Sequence, residues 1–324
     1  MFDVLIVGAG PAGLSAAHAA KTAGLSYVVI ERGCLVHTVY QFPAGLTLYS
    51  TPELIELADV PLIVRDPKPS REDALRYYRR FVEVKGLTVH TYEEVTDIHG
   101  ADGAFDVHTT DATGPHVYQS RKIILATGAF DQPNRLMIPG EGLPKVHHSF
   151  KEAHPYYGRE TLVIGGKSSA VETALSLYRA GAKVTLSYRR DAFTGIKYWV
   201  LPDLENRIKD GSIRAIMNSN VVEIRPTEVV LKVVGQNNPL VLPNDFVFCM
   251  IGHEPDVSFL NRIGVGVSGA DRRPVHNPDT FESTVPGLYV IGVLTAGNIS
   301  SEIFIENGRS HGPTVIGHLI QTMS

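Results

Sequence analysis

Cysteine is scarce. The 324 residues include two, Cys34 and Cys249, and neither belongs to a C-x-x-C. A disulfide-stapled secreted scaffold is thereby excluded, and a reducing compartment fits better. A basic excess is also missing. Thirty Lys and Arg face 34 Asp and Glu, which gives a formal net charge of −4 and a pI of about 6.3. Nucleic-acid binders are usually basic, so no nucleic-acid partner is expected. No apolar run is long enough to span a bilayer, and the opening MFDVLIVGAG carries no basic leader. Neither a membrane helix nor a signal peptide is expected, and the protein is placed in the cytoplasm. Low-complexity segments and solenoid repeats are absent. What remains, 44% hydrophobic and 20% charged, is the composition of a globular chain long enough for two domains.

The most informative feature that is present occurs twice. In DVLIVGAGPAGLSAAHAAKTAGLSYVVIE, residues 4–7 read as an apolar strand. Gly8, Gly10 and Gly13 follow in G-x-G-x-x-G spacing, then a helix of small residues over 16–23. A second strand over 27–30 ends in Glu31. This is a dinucleotide-binding βαβ unit. The first glycine makes the turn, the second lets the backbone approach a pyrophosphate, and the third lets helix and strand pack closely. The helix N-terminus offers N–H groups and partial positive charge to the phosphates. Glu31 is expected to accept ribose hydroxyls.

The second copy is TLVIGGKSSAVETA, from residue 161. Gly165 and Gly166 follow a strand, Ala170 takes the third small position, and 170–179 read as a helix. The next strand, 183–187, ends not in an acid but in Tyr188, Arg189 and Arg190. Two arginines favour a 2′-phosphate, which they can grip bidentately, so this site reads as NADP(H) rather than NAD(H). Lys167 stands where the middle glycine would be. Its ammonium either reaches a phosphate or turns to solvent. The N–H groups of Gly166, Ser168 and Ser169 and the two serine hydroxyls remain to cradle the anion.

The fold class expected is α/β, with two Rossmann-like nucleotide-binding domains of the three-layer ββα type. An NADP domain, 129–252, is inserted into a discontinuous FAD-type domain, 1–128 and 253–324. KIILATG at 122–128 closes the first unit and FVFCMIGHEP at 246–255 repeats that plan. Residues 87–92, 105–109 and 118–124 suit a small antiparallel accessory sheet. Pro133 and Pro255, each near a glycine, mark the expected hinges. A helix is expected over 301–323, with Ser300 and Ser301 as N-caps and Glu302 in its first turn. Its N–H groups would face the pyrimidine end of the flavin. Two unlike nucleotide sites in one chain point to electron transfer from NADPH to FAD.

Longer strings then carry a resemblance: VYQFPAGLTLYSTPELIELADV, FKEAHPYYGRETLVIGGKSSAVETAL, KYWVLPDLE, NDFVFCMIGHEPDVSFL and AGNISSEIFIENGR. They span nearly the whole chain, which resembles the thioredoxin-reductase-like flavoproteins and among them the bacillithiol disulfide reductase (YpdA-like) family. The GGK turn is that family's form. The resemblance implies an NADPH-dependent FAD enzyme, generally homodimeric, that reduces a small-molecule disulfide. It implies that Gly8, Gly10, Gly13, Glu31, Thr127, Gly128 and Gly292 touch FAD, with Pro11, Ala12, Tyr40, Gln41, Val95, Glu302 and Ile303 completing the cofactor contacts. Gly165, Gly166, Lys167, Ser168, Ser169, Arg189 and Arg190 would touch NADPH.

Two departures matter. Thioredoxin reductases carry a C-x-x-C in the NADPH domain, and this chain has only Cys249 there. Many of the closer relatives have GGGPCG in the first turn, where this chain has GAGPAG with Ala12. Reduced FAD is therefore expected to meet the disulfide itself, beside Tyr40, Phe42 and Tyr49. His148, His154 and His253 are candidate proton donors, and none is assigned as catalytic. An NADPH:ferredoxin or flavodoxin reductase is the alternative. A flavin monooxygenase fits poorly because no F-x-G precedes His148, and a non-catalytic NADPH sensor would bind no FAD.

Overall fold

The apolar run near the N-terminus forms strand β1 (Phe2–Val7), in which Val4, Leu5 and Ile6 are fully enclosed. Helix α1 (Pro11–Thr22) begins with a proline at its first position, where a missing N–H is harmless and the fixed φ is already helical. Strand β2 (Tyr27–Glu31) pairs with β1 in parallel. Helix α2 (Arg71–Lys85) starts at a Ser70–Asp73 capping box and stops at Gly86. Strand β3 (Val89–Thr91) extends the sheet beyond β2 in parallel. Strands β4 (Glu94–Ala101), β5 (Ala104–Asp111) and β6 (Gly114–Leu125) form an antiparallel meander. The second half of β6 then pairs in parallel with β1, from Phe2–Ser120 to Val7–Leu125.

That arrangement corrects the expected accessory sheet. Residues 87–92 supply the outer parallel strand β3, not an accessory strand. The meander takes its third member from β4, a strand whose polar, exposed face gave no apolar signal. Residues 118–124 join the meander to the parallel strands in one continuous sheet, because one twelve-residue strand pairs with β5 and then with β1.

The computed structural model describes every residue except Asp131, Ser300, Ser301 and Ser324. It divides into two units, Met1–Gln132 with His253–Ser324, and Pro133–Gly252. Within the second unit, β7 (Val146–His147), β8 (Glu160–Ile164), α3 (Ser168–Arg179) and β9 (Lys183–Ser187) come first. Then follow α4 (Leu201–Lys209), β10 (Ile213–Ile216), β11 (Ser219–Ile224), β12 (Glu228–Val233), β13 (Leu240–Pro243) and β14 (Phe246–Cys249). The parallel sheet runs β10-β9-β8-β14-β7, and β11-β12-β13 form a separate antiparallel sheet. Cys249 lies in the apolar cluster with Leu162, Ile164 and Val247.

The chain returns to the first unit through α5 (Val257–Arg262) and β15 (Leu288–Val290), which pairs with β6 in parallel. The helix expected over 301–323 is not continuous. A single turn, Ile305–Gly308, precedes α6 (His311–Thr322). Glu302 lies outside both, so no long helix begins there. Ser300 and Ser301, its expected caps, lie outside the described residues. Pro313 explains part of the break, because it has no N–H to give the Arg309 carbonyl. That carbonyl instead accepts the Ser15 hydroxyl at 2.6 Å, which ties the chain just before α6 to α1.

The two helices cross where Gly312 meets Ala16. A Cβ on Gly312 would stand 2.5 Å from the Ala16 nitrogen, which is backbone and cannot rotate away. Gly312→Ala is therefore expected to cost about 1–3 kcal/mol and to lower the melting temperature by about 5 °C. Calorimetry checks this, and an unchanged Tm would show that the helices can part without cost.

Candidate functional site

The first turn is shaped by two backbone contacts. Gly8 has φ +104°, and a Cβ on it would lie 2.5 Å from the Ala126 carbonyl oxygen. A Cβ on Gly13 would lie 2.0 Å from the Gly8 carbonyl oxygen. Both glycines are demanded by the protein's own packing. Gly10 is different, since a Cβ there would meet nothing within 4 Å. It is the N-cap of α1, no side chain caps the helix, and Pro11 has no N–H. The first-turn amides of Ala12 and Gly13 are left for an outside acceptor, beside open space. A pyrophosphate fits these donors by charge and by room.

Other expected residues gather at this turn. A Cβ on Gly292 would stand 2.8 Å from the Ala12 methyl, and one on Gly308 would stand 3.3 Å from both the Gly292 Cα and Ile303. Thr127 and Gly128 follow Ala126 directly, with the Thr127 nitrogen 3.3 Å from the same would-be Cβ of Gly8. The turn His37–Gln41, which holds Tyr40 and Gln41, is tied in by the Val36 N–H, which donates to the Ala9 carbonyl at 3.2 Å. Tyr40 is exposed and lies under the Arg71 guanidinium. Gln41 Nε2 is 2.9 Å from His37 Nε2. Val95 stands apart, its half-buried side chain packed on the cluster of Leu5 and Val7. Glu302 is exposed and paired with Arg273 at 2.8 Å. Of the expected aromatic wall, Phe42 meets Phe130 edge-on, and Tyr49 stacks on Phe304.

Glu31 has a structural task that its spacing did not reveal. It is buried, one carboxylate oxygen accepts the Ala9 N–H and the other the Gly33 N–H, each at 2.8 Å. Each oxygen keeps a second lone pair, so ribose hydroxyls can still be accepted. His311 was missed entirely. Its Nδ1 accepts the Gly292 N–H at 3.2 Å, and its ring stacks on Phe281 at 4.2 Å between centroids. Burial, with His276 nearby, pushes its pKa down to about 4, so the ring is neutral near pH 7. The two residues are 19 apart, and no local pattern joins them.

The second turn repeats the plan with different chemistry. The Gly165 N–H donates to the Ser187 carbonyl at 3.0 Å, as the Gly8 N–H does to the Ile30 carbonyl at 2.8 Å. Tyr188 therefore takes the place of Glu31. A Cβ on Gly166 would stand 2.4 Å from the Tyr188 ring. That ring is buried and stacked flat on Phe193, 5.8 Å away and 8° from parallel. Lys167 is exposed and forms the N-cap of α3, again with no side-chain cap. Ser169 is exposed. The Ser168 hydroxyl corrects an expectation. It donates to the Gly195 carbonyl and accepts the Lys197 N–H, both at 3.1 Å, and so is engaged within the protein. Arg189 and Arg190 are exposed, and among the described residues neither has an ion-pair partner.

Sulfur and imidazole add little. Burial pushes the Cys249 thiol up to about 12. It also raises that of Cys34, whose Sγ is 3.5 Å from His37 Nδ1. Neither is a ready thiolate. His148 Nε2 accepts an N–H of Arg135 at 2.9 Å, and burial holds its pKa below the usual value, so it is a neutral acceptor and not a donor. His154 is exposed in a short 3₁₀ turn, and His253 lies against Phe130. Among the described residues no group of His, Cys, Asp and Glu could hold a metal. None of their helices is long and apolar enough to cross a membrane.

Residues 5–292 match the family described as pyridine nucleotide-disulphide oxidoreductase. Bacilliredoxin reductase Bdr of Bacillus subtilis (strain 168) is 42% identical over 317 residues, 97% of this chain and 95% of that one. A ferredoxin–NADP reductase of Ignicoccus hospitalis is 30% identical over 301 residues, covering 91% and 90%. The solved structure of bacillithiol disulfide reductase Bdr (YpdA) from Bacillus cereus matches with TM-score 0.96 and 40% identity over 99% of each chain.

The neutral state of His311 sets a pH dependence. Its folded pKa is depressed, so between about 6.5 and 4 the unfolded chain binds a proton that the folded chain does not. The stability it contributes is full above pH 6.5 and declines as pH falls towards 4. His311→Gln keeps an acceptor for the Gly292 N–H without titrating. Urea unfolding between pH 7 and 5 should show the wild type losing up to about 1.4 kcal/mol per pH unit more than the variant. Parallel losses in the two proteins would contradict the assignment.

Proposed function

The chain belongs to the pyridine nucleotide-disulphide oxidoreductase family, whose cofactors are FAD and NADPH, and on that premise we propose that it passes electrons from NADPH to a low-molecular-weight disulfide of the bacillithiol disulfide kind. The observation that carries the proposal is the likeness, over nearly the whole chain, to proteins named bacillithiol disulfide reductase and bacilliredoxin reductase. In this reading the unit Met1–Gln132 with His253–Ser324 holds FAD and the unit Pro133–Gly252 holds NADPH. A homodimer in the cytoplasm belongs to the same proposal and rests on the same likeness.

Bound there, FAD supplies the relay that takes two electrons from the nicotinamide and gives them to the disulfide. The chain's own groups bind and orient. The uncapped start of α1 and Gly10 receive the pyrophosphate. Glu31 holds the turn through Ala9 and Gly33 and turns its remaining lone pairs to the ribose. His311 fixes the Gly292 amide. At the second turn Tyr188 stands where Glu31 stands in the first, so no carboxylate at that position repels a 2′-phosphate. Arg189 and Arg190 grip that phosphate. Burial keeps the thiols of Cys249 and Cys34 protonated, and Ala12 stands where many relatives have a cysteine, so in this reading no sulfur of the chain carries electrons.

The similarity to a ferredoxin–NADP reductase favours one rival acceptor. Stopped-flow mixing separates the two. NADPH-reduced enzyme is mixed with bacillithiol disulfide, other small disulfides, ferredoxin, a quinone and oxygen. Rapid return of flavin absorbance is expected with the small disulfides. Rapid reoxidation by ferredoxin alone would overturn the proposal.

A further inference from the structure

Residues 191–200 run from the strand-end arginines to α4 and are strapped back onto α3. Three contacts hold the strap. The Ser168 hydroxyl bridges the Gly195 carbonyl and the Lys197 N–H. Lys197 Nζ pairs with Glu172 Oε1 at 2.7 Å, one turn further along α3, with side chains only 13% and 25% exposed. Phe193 stacks on Tyr188, whose ring lies against Gly166. On the other side, the Tyr188 and Arg190 carbonyls accept the Ser219 and Asn218 N–H groups, both at 3.0 Å. Arg189 and Arg190 sit between these two anchorages. Among the described residues their guanidiniums have no ion-pair partner to orient them, so the strap and the backbone bonds do so.

An ion pair largely withdrawn from water adds little net stability, because desolvating both charges offsets their attraction. Its value lies in register. Charge-assisted bonds from a guanidinium to a phosphate depend on alignment, and a displacement of about 1 Å loses much of their strength. We infer that the Lys197–Glu172 pair and Ser168 are positioning groups that hold the arginine pair in register for a 2′-phosphate. The inference rests on the reading of this turn as the NADPH site. It assigns coenzyme selectivity to residues on α3 and in the strap, as well as to the two arginines.

The test uses purified holoenzyme: the wild type, Lys197→Met, Glu172→Gln and the charge swap Lys197→Glu/Glu172→Lys. KM and kcat are measured with NADPH and with NADH, and Kd with adenosine 2′,5′-bisphosphate as the probe. Flavin content and circular dichroism establish that each variant is folded. The wild type should prefer NADPH. In the two single variants, KM for NADPH and Kd for the bisphosphate should rise about tenfold, the equivalent of one lost charge-assisted bond. KM for NADH should change less than about twofold, and the charge swap should restore part of the preference. A wild type without preference would overturn the NADPH reading and the inference with it. A selective wild type whose variants keep the same NADPH-to-NADH ratio would overturn the inference alone.

Discussion

Two carbonyl oxygens that leave no room for a methyl group set the architecture of the first nucleotide site. The Ala126 carbonyl closes the space beside Gly8, and the Gly8 carbonyl closes the space beside Gly13. Because the backbone packs this closely, α1 starts directly against the ends of β1 and β6. Its first amides are left without a cap, and they face a position where even a Cβ at Gly10 would touch nothing. Packing that the protein needs in any case thus leaves donors suited to an anion. The Gly8 turn then draws in the rest. Glu31 clamps Ala9, Ala12 touches the Gly292 position, and His311 holds the Gly292 amide.

The second site shows what happens when the same backbone plan receives other side chains. The Met250 carbonyl stands 2.4 Å from a would-be Cβ of Gly165, as the Ala126 carbonyl does for Gly8. The strand that ends in Glu31 in one unit ends in Tyr188 in the other. A carboxylate that binds the turn is replaced by a ring that packs beneath it, and the cations follow immediately. Both arrangements secure the turn, one by hydrogen bonds and the other by contact and stacking. They differ in the charge presented beside the turn, which in the proposed reading distinguishes a ribose hydroxyl from a 2′-phosphate.

Much of this was legible because the signals are local. Glycine spacing, an apolar strand and small helical residues placed Gly8, Gly13, Gly165 and Gly166 correctly in their turns. Strand β9 falls on the expected 183–187. What escaped depends on distant partners. The Arg309 carbonyl is satisfied by Ser15, 294 positions away, so the break before α6 has no complete local cause. The Ser168 hydroxyl is occupied by the 191–200 strap, a contact that no local pattern announces. Strand β4 is mostly exposed and polar on its outer face, so periodicity passed it over. Val95 shared a sequence expectation with the turn residues, yet its side chain serves the core.

In the proposed reaction electrons move between two bound nucleotides and an external disulfide, with both cysteines as bystanders. Cys249 fits that role as a buried apolar group whose thiol stays protonated. Anaerobic titration with NADPH tests this most directly, in the wild type and in Cys34→Ser/Cys249→Ser. The account predicts that a single equivalent of NADPH per flavin bleaches both proteins fully, and that both then reduce a small disulfide at similar rates. A wild type that consumed a second equivalent, lost together with turnover in the thiol-free protein, would contradict it.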